Sequence, residues 1–141
     1  MKNRILIIFL IFSGCTIKFD PAFEERAIRA VLKQQETDWN NGNIDGFMQS
    51  YWHSDSLMFI GTSVTRGWDA TIERYRKSYP DKEAMGALDF KFYDFKFIDS
   101  ETCLVTGEYH LKRTADEPTG MFTLLLKKID DRWVIVYDHT S

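Results

Sequence analysis

The chain has 141 residues, 21 of them acidic and 18 basic, for a net charge of −3. That is enough for one domain with its own core, but it lacks the clustered Lys and Arg that grip a phosphate backbone, so nucleic acid is excluded as a partner. Eleven Phe, six Tyr and four Trp supply large rings, either for a core or for a lined pocket.

The first residues read as a targeting segment. Lys2 and Arg4 form a positive start, and Ile5 to Phe12 is an apolar stretch too short to span a bilayer as a helix. Phe12-Ser13-Gly14-Cys15 resembles a bacterial lipobox, with Phe12 where that pattern prefers Leu. The expectation is a lipoprotein signal over 1–14, lipidation of Cys15, and a tether over 15–21. Cleavage would remove Lys2 and Arg4, leaving 16 basic against 21 acidic residues, a charge of −5. The protein would then sit in the cell envelope on a lipid anchor; an ordinary secretory signal and a secreted protein are the alternative. With Cys15 lipidated, Cys103 has no disulfide partner and reads as a small buried apolar residue.

The mature domain is expected over 22–141. Asp20-Pro21 is a helix start, a capping carboxylate followed by Pro. Phe23, Ala27, Ala30, Val31, Gln34 and Asp38 keep helical spacing, with Ile28, Leu32 and Trp39 widening the stripe. Asn40-Asn41-Gly42 ends this helix. A short second helix runs from Ile44 to Tyr51 or Trp52, with Ile44, Phe47, Met48 and Tyr51 inward. Leu57–Ile60 and Val64–Arg66 make a short hairpin. A third helix opens at Gly67-Trp68-Asp69, with Ile72, Tyr75, the stem of Arg76 and Tyr79 inward, and Pro80 ends it.

Four long strands follow: Leu88–Ile98, Cys103–Arg113, Met121–Ile129 and Trp133–Thr140. Their short connections predict an antiparallel meander. Closing the turn at Asp130-Asp131 sets Ile129 opposite Arg132, Tyr137 opposite Leu124 and His139 opposite Phe122. One face then carries Trp133, Ile135, Tyr137, His139, Leu126, Leu124, Phe122, Leu111, Tyr109, Gly107 and Val105, and should pack on the helices. Asp138 falls on the other face, so Asp138 and His139 form no dyad; there Asp138 would neighbour His110 across Thr123. The Leu88–Ile98 strand is apolar on both parities and has no readable orientation.

This order of elements resembles the nuclear transport factor 2-like superfamily. It is most similar to the SnoaL-like, ketosteroid-isomerase-like branch that also includes the association domain of calcium/calmodulin-dependent kinase II. The markers are Trp39 and Gly42, the Phe47–Tyr51 helix, Gly67, Gly107, Gly120-Met121-Phe122 and the Trp133…His139-Thr140-Ser141 tail. The resemblance covers roughly residues 22–141. It implies an α+β, cone-shaped (cystatin-like) fold, with three N-terminal helices packed on a strongly curved antiparallel sheet. It also implies a pocket at the wide end and homodimers through the outer sheet face. The family hosts enzymes, binding modules and oligomerisation domains, so the fold does not decide function.

In the isomerase members the base stands on the first short strand and a donor Tyr on the first helix. Here that strand is Leu57-Met58-Phe59-Ile60, without a carboxylate, and the donor position is Gln35, so isomerase activity is not carried over. The expected pocket set is Trp39, Tyr51, Tyr75, Tyr79, Tyr109, Phe122, Tyr137 and His139. His139 is the best catalytic candidate, because an imidazole titrates near neutrality. Arg66 is a candidate charge at the rim. No metal is expected, since His53, His110 and His139 do not converge, and no cofactor is assigned. The leading expectation is binding of a small apolar or ring-containing molecule. The competing ones are an isomerase, cyclase or hydrolase using His139 with a tyrosine, and a ligand-free dimerisation module. If Cys15 carries the anchor, Cys15→Ser releases the protein from the membrane fraction; persistence there in a fractionation assay rejects the lipoprotein reading.

Overall fold

A computed structural model describes residues 18–141; the expected signal segment and Cys15 lie outside the described residues. The elements run α1 (Pro21–Asn40), α2 (Ile44–Met48), β1 (Met58–Ile60), β2 (Val64–Arg66), α3 (Trp68–Ser78), α4 (Lys82–Met85), β3 (Ala87–Asp99), β4 (Thr102–Lys112), β5 (Thr119–Ile129) and β6 (Arg132–Thr140). Asp20 caps α1 as expected, its carboxylate accepting from the Ala22 and Phe23 amides. The sequence predicts three helices, and the described residues form four. Asp81 caps the extra turn α4, and Gly86, at φ +65°, leads from it into β3.

The strands form one open sheet in the order β2-β1-β6-β5-β4-β3, with β2 and β3 at its edges. The meander β3–β6 is antiparallel throughout, as read from the sequence. The hairpin β1–β2 joins it by a parallel pairing of β1 with β6, which sequence spacing does not reveal. Helix α1 packs across the sheet, and the core of Ile28, Leu32, Met48, Leu126 and Ile135 lies between them, fully out of water.

The buried face of α1 differs from the expected stripe. It carries Glu24, Ile28, Leu32, Gln35, Glu36 and Trp39, whereas Phe23 is exposed. Glu24 and Glu36 lie inward because each fastens the helix to the sheet. Lys128 Nζ and Trp133 Nε1 each donate to Glu24 at 2.7 Å. The Phe90 amide donates to Glu36 at 3.1 Å, and Asn40 exchanges two hydrogen bonds with the Leu88 backbone at 2.7 and 2.8 Å. Hydropathy cannot identify such positions, because burial here is decided by partners. On α3, Arg76 likewise does not turn inward; it is exposed and pairs with Glu73 and Asp45.

Of the three register shifts in the sheet, two set the faces that matter for the cavity. Register shifts between Phe92 and Asp94 on β3, leaving Tyr93 as the extra residue. Phe90 and Phe92 before the shift, and Phe95 and Phe97 after it, therefore all pack against the core despite opposite parity. This is why the strand has no readable orientation in sequence. On β6 the ladder passes from Leu126–Ile135 to Leu125–Tyr137, so Val136 is unpaired. From there on the faces are reversed relative to the expected register.

Burial opposes the Glu24 charge, but the bonds from Lys128 and Trp133 outweigh it and hold the carboxyl below its usual range. A depressed folded-state pKa adds stability above the unfolded value, and that contribution is lost as pH falls through the folded one. Glu24→Gln is expected to cost about 1–3 kcal/mol at pH 7. The gap should narrow below pH 4.5, the unperturbed value. Urea titrations at several pH values measure it, and a gap that widens in acid contradicts this assignment.

Candidate functional site

The site is a cavity of about 510 Å³ between the sheet and α1–α3. Its wall is built of rings. Trp39 meets Phe47 edge-on at 5.0 Å and Tyr79 at 4.7 Å; Tyr75 meets Phe47 at 5.0 Å and Phe59 at 5.6 Å. Trp39 is fixed by its indole N–H donating to the Met85 carbonyl at 3.0 Å. On the sheet side stand Phe90, Phe92 and Phe122. Gly107 lets the Phe122 ring lie against β4: a Cβ there would sit 2.3 Å from the tip of the ring.

The polar centre of the cavity is Asp138, 3% exposed. Tyr51 donates its hydroxyl to Asp138 Oδ2 at 2.7 Å, and Thr140 donates to Oδ1 at 2.7 Å. The Tyr75 hydroxyl lies 3.4 Å from that of Tyr51, extending the chain of oxygens into the aromatic wall. Burial raises the Asp138 carboxyl above its ordinary range, against the opposing hydrogen bonds from Thr140 and Tyr51 and the charges of His139 and Arg74. Burial also raises the Tyr51 and Tyr75 phenols, and the nearby Asp138 adds to it, so both stay protonated and serve as donors. Such an array can hold a ligand hydroxyl or carbonyl, or pass a proton along the oxygens.

Of the eight expected pocket residues, Trp39, Tyr51, Tyr75, Tyr79, Tyr109 and Phe122 line this cavity. Tyr137 and His139 do not. Both are exposed on the opposite face, with Tyr137 beside Leu125 and His139 beside Thr123. The bulge at Val136 is the reason, since one extra residue exchanges the faces of everything after it. The same step brings Asp138 inside, correcting the expectation of Asp138 outside near His110. His110 instead contacts Glu108 at 2.9 Å. A pocket chemistry built on His139 has no geometric basis. Arg66 is exposed on β2, and the charge at the cavity is Arg74. Cys103 is fully buried and free, and burial pushes its thiol up to about 11, the inert state expected of a core cysteine. Among the described residues no group of His, Cys, Asp and Glu is placed to hold a metal ion.

The lining residues outside the expected set include Asp138, Gln35, Arg74 and Phe59. Gln35 is 2% exposed, and its Nε2 has no hydrogen-bond partner among the described residues. Arg74 hides in a charged run, Glu73-Arg74-Tyr75-Arg76-Lys77, that looks like a solvated face. The one signal for Asp138 is that β6 spends nine residues where its partner stretch, Phe122–Ile129, has eight.

A carboxyl whose folded pKa is raised contributes stability at low pH that disappears as pH rises through that value. Asp138→Asn, which keeps the shape but cannot ionise, should therefore gain on the wild type as pH rises from about 4, the unperturbed Asp range. Paired urea unfolding curves from pH 4 to 8 measure this difference. A flat difference would mean that Asp138 titrates as it does in the unfolded chain.

Comparison with known proteins agrees with this geometry. A nuclear transport factor 2-like protein of unknown function from Shewanella oneidensis MR-1 is 46% identical, with a TM-score of 0.81 over 84% of this chain and 98% of its own. A domain of unknown function with a cystatin-like fold from Nostoc punctiforme is 19% identical, at a TM-score of 0.71 over 86% and 78% of the two chains. A nuclear transport factor 2-like superfamily protein from Salmonella enterica is 16% identical, at 0.68 over 86% and 92%. These last two speak for the fold alone. No protein of curated function matches the chain. The sequence profile of the SnoaL-like domain matches residues 28–141, from the middle of α1 to the final residue, and the chain belongs to that family within the nuclear transport factor 2-like superfamily.

Proposed function

We propose that this domain binds a small, largely apolar, ring-containing molecule in the cavity under α1. The observation that carries the reading is an orphaned donor beside an aromatic chamber: buried Gln35 offers an amide N–H that no group among the described residues accepts. Leaving such a group unpaired is unfavourable, and a ligand carbonyl or hydroxyl that accepts from it gains about 0.5–1.5 kcal/mol on binding. The volume, about 510 Å³, lies within the range of small-molecule sites. Trp39 and Phe122 stand in the wall without filling the space, which argues against a merely structural module.

The isomerase base and donor positions hold no carboxylate and no tyrosine, and His139 is outside, so binding is favoured over catalysis. The wider context is also a proposal. The N-terminal pattern supports an envelope protein held by lipid on Cys15. Among the described residues no helix is long and apolar enough to cross a membrane. Exposed Met121 and Tyr137 on the outer sheet face support a homodimer through that face.

The test uses 2-acetylnaphthalene, a neutral bicycle with one carbonyl acceptor, titrated against intrinsic fluorescence, which Trp39 reports from the cavity wall. The expected result is saturable quenching, with affinity about two- to tenfold weaker in Gln35→Leu. If there is no saturable change up to the probe's solubility, the binding reading fails.

A further inference from the structure

Arg74 stands at the β1–β2 side of the cavity, beside Gly61 and Thr62. It is half-buried, with its guanidinium carbon 4.5 Å from the centre of the Phe59 ring. Among the described residues it has no salt bridge and no hydrogen bond, and this sets it apart from the other arginines. Arg29 pairs with Glu25, Arg76 with Glu73 and Asp45, and Arg113 with Asp116, while Arg26, Arg66 and Arg132 are exposed to water. Asp138, the carboxylate in the same cavity, accepts from Tyr51 and Thr140 and forms no salt bridge with Arg74. The Arg74 charge nevertheless reaches the interior, where it lowers the proton affinity of Asp138, Tyr75 and Tyr79.

A guanidinium stacked on a ring keeps its planar fork of donors free for a planar anion. A neutral molecule entering past it would strip water from a cation and supply no counter-charge, which is costly in a ring-lined site. An acid would replace that water with two charge-assisted hydrogen bonds and leave its apolar body to the rings.

We propose that the cavity selects a compact ring-containing monocarboxylate, with its carboxylate on Arg74 and its ring among Trp39, Phe47, Phe59 and Tyr75. This rests on the binding reading and narrows it to a charge class. Arg74 reads the head group, and Gln35 is left for a second acceptor on the body of the ligand.

The experiment compares 2-naphthoate, ionised at neutral pH, with 2-acetylnaphthalene, nearly the same shape without the charge. Affinities are measured by isothermal titration for the wild type, Arg74→Gln and Arg74→Lys. The wild type is expected to bind the acid at least about tenfold more tightly than the ketone. Arg74→Gln should bring the two within about twofold, and Arg74→Lys should keep part of the preference. Equal affinities in the wild type, or a preference that survives in Arg74→Gln, overturn the acid proposal while leaving the binding reading standing. The wild-type comparison needs no variant to fold. If neither probe binds the wild type up to its solubility, both readings fall.

Discussion

The site depends on one extra residue. Val136 bulges out of the β5–β6 ladder, so Trp133 and Ile135 before it and Asp138 after it all face the interior. An unbroken strand would have placed Tyr137 and His139 under the helices and left the carboxylate in water. The bulge thus exchanges an imidazole for a buried acid at the centre of the cavity. Burying a carboxylate is unfavourable unless hydrogen bonds replace its water, and the Tyr51 and Thr140 hydroxyls do so, one on each oxygen. Tyr51 is itself placed by its isolated bridge to Ile135, the last paired residue before the bulge. The kink that turns Asp138 inward and the group that receives it are therefore parts of one arrangement.

A second polar system holds the roof of the cavity. Glu24, Glu36 and Asn40 tie three successive levels of α1 to the sheet, through Lys128 and Trp133, the Phe90 amide and the Leu88 backbone. The apolar core between them is non-directional and would tolerate rotation of the helix; these hydrogen bonds do not. With the rotation set, Gln35 lies on the cavity wall with no acceptor within reach. In a helix whose other buried polar groups are satisfied, that orphan is an opening for a ligand.

Among SnoaL-like domains, the shared scaffold explains the cavity but not its contents. In this chain the rings are accompanied by an amide on α1, a hydroxyl-capped acid on β6 and, on α3, a guanidinium without an ion pair among the described residues. Each differs in what it can recognise. The acid accepts from two hydroxyls, and among the described residues the amide lacks an acceptor and the guanidinium lacks an anion. The proposed ligand class follows from these two unmet groups.

The sequence by itself determined the order of the elements apart from α4, the cap at Asp20, the antiparallel meander and the ring-rich composition of the cavity. Those features follow from local periodicity, turn chemistry and side-chain type, which a chain carries wherever it is placed. Six of the eight expected pocket residues line the cavity, and two of them, Tyr109 and Phe122, stand on β4 and β5, whose mutual pairing keeps an unbroken alternation. Only the tertiary structure decided the rest: the parallel pairing of β1 with β6, the rotation of α1 about its polar ties, and the facing of β3 and β6 beyond their bulges. A bulge leaves no mark in hydropathy, because it is the partner strand that makes one residue supernumerary. Asp138 and His139 are neighbours in sequence, and the residue that sends one inward and the other into water stands two positions before Asp138.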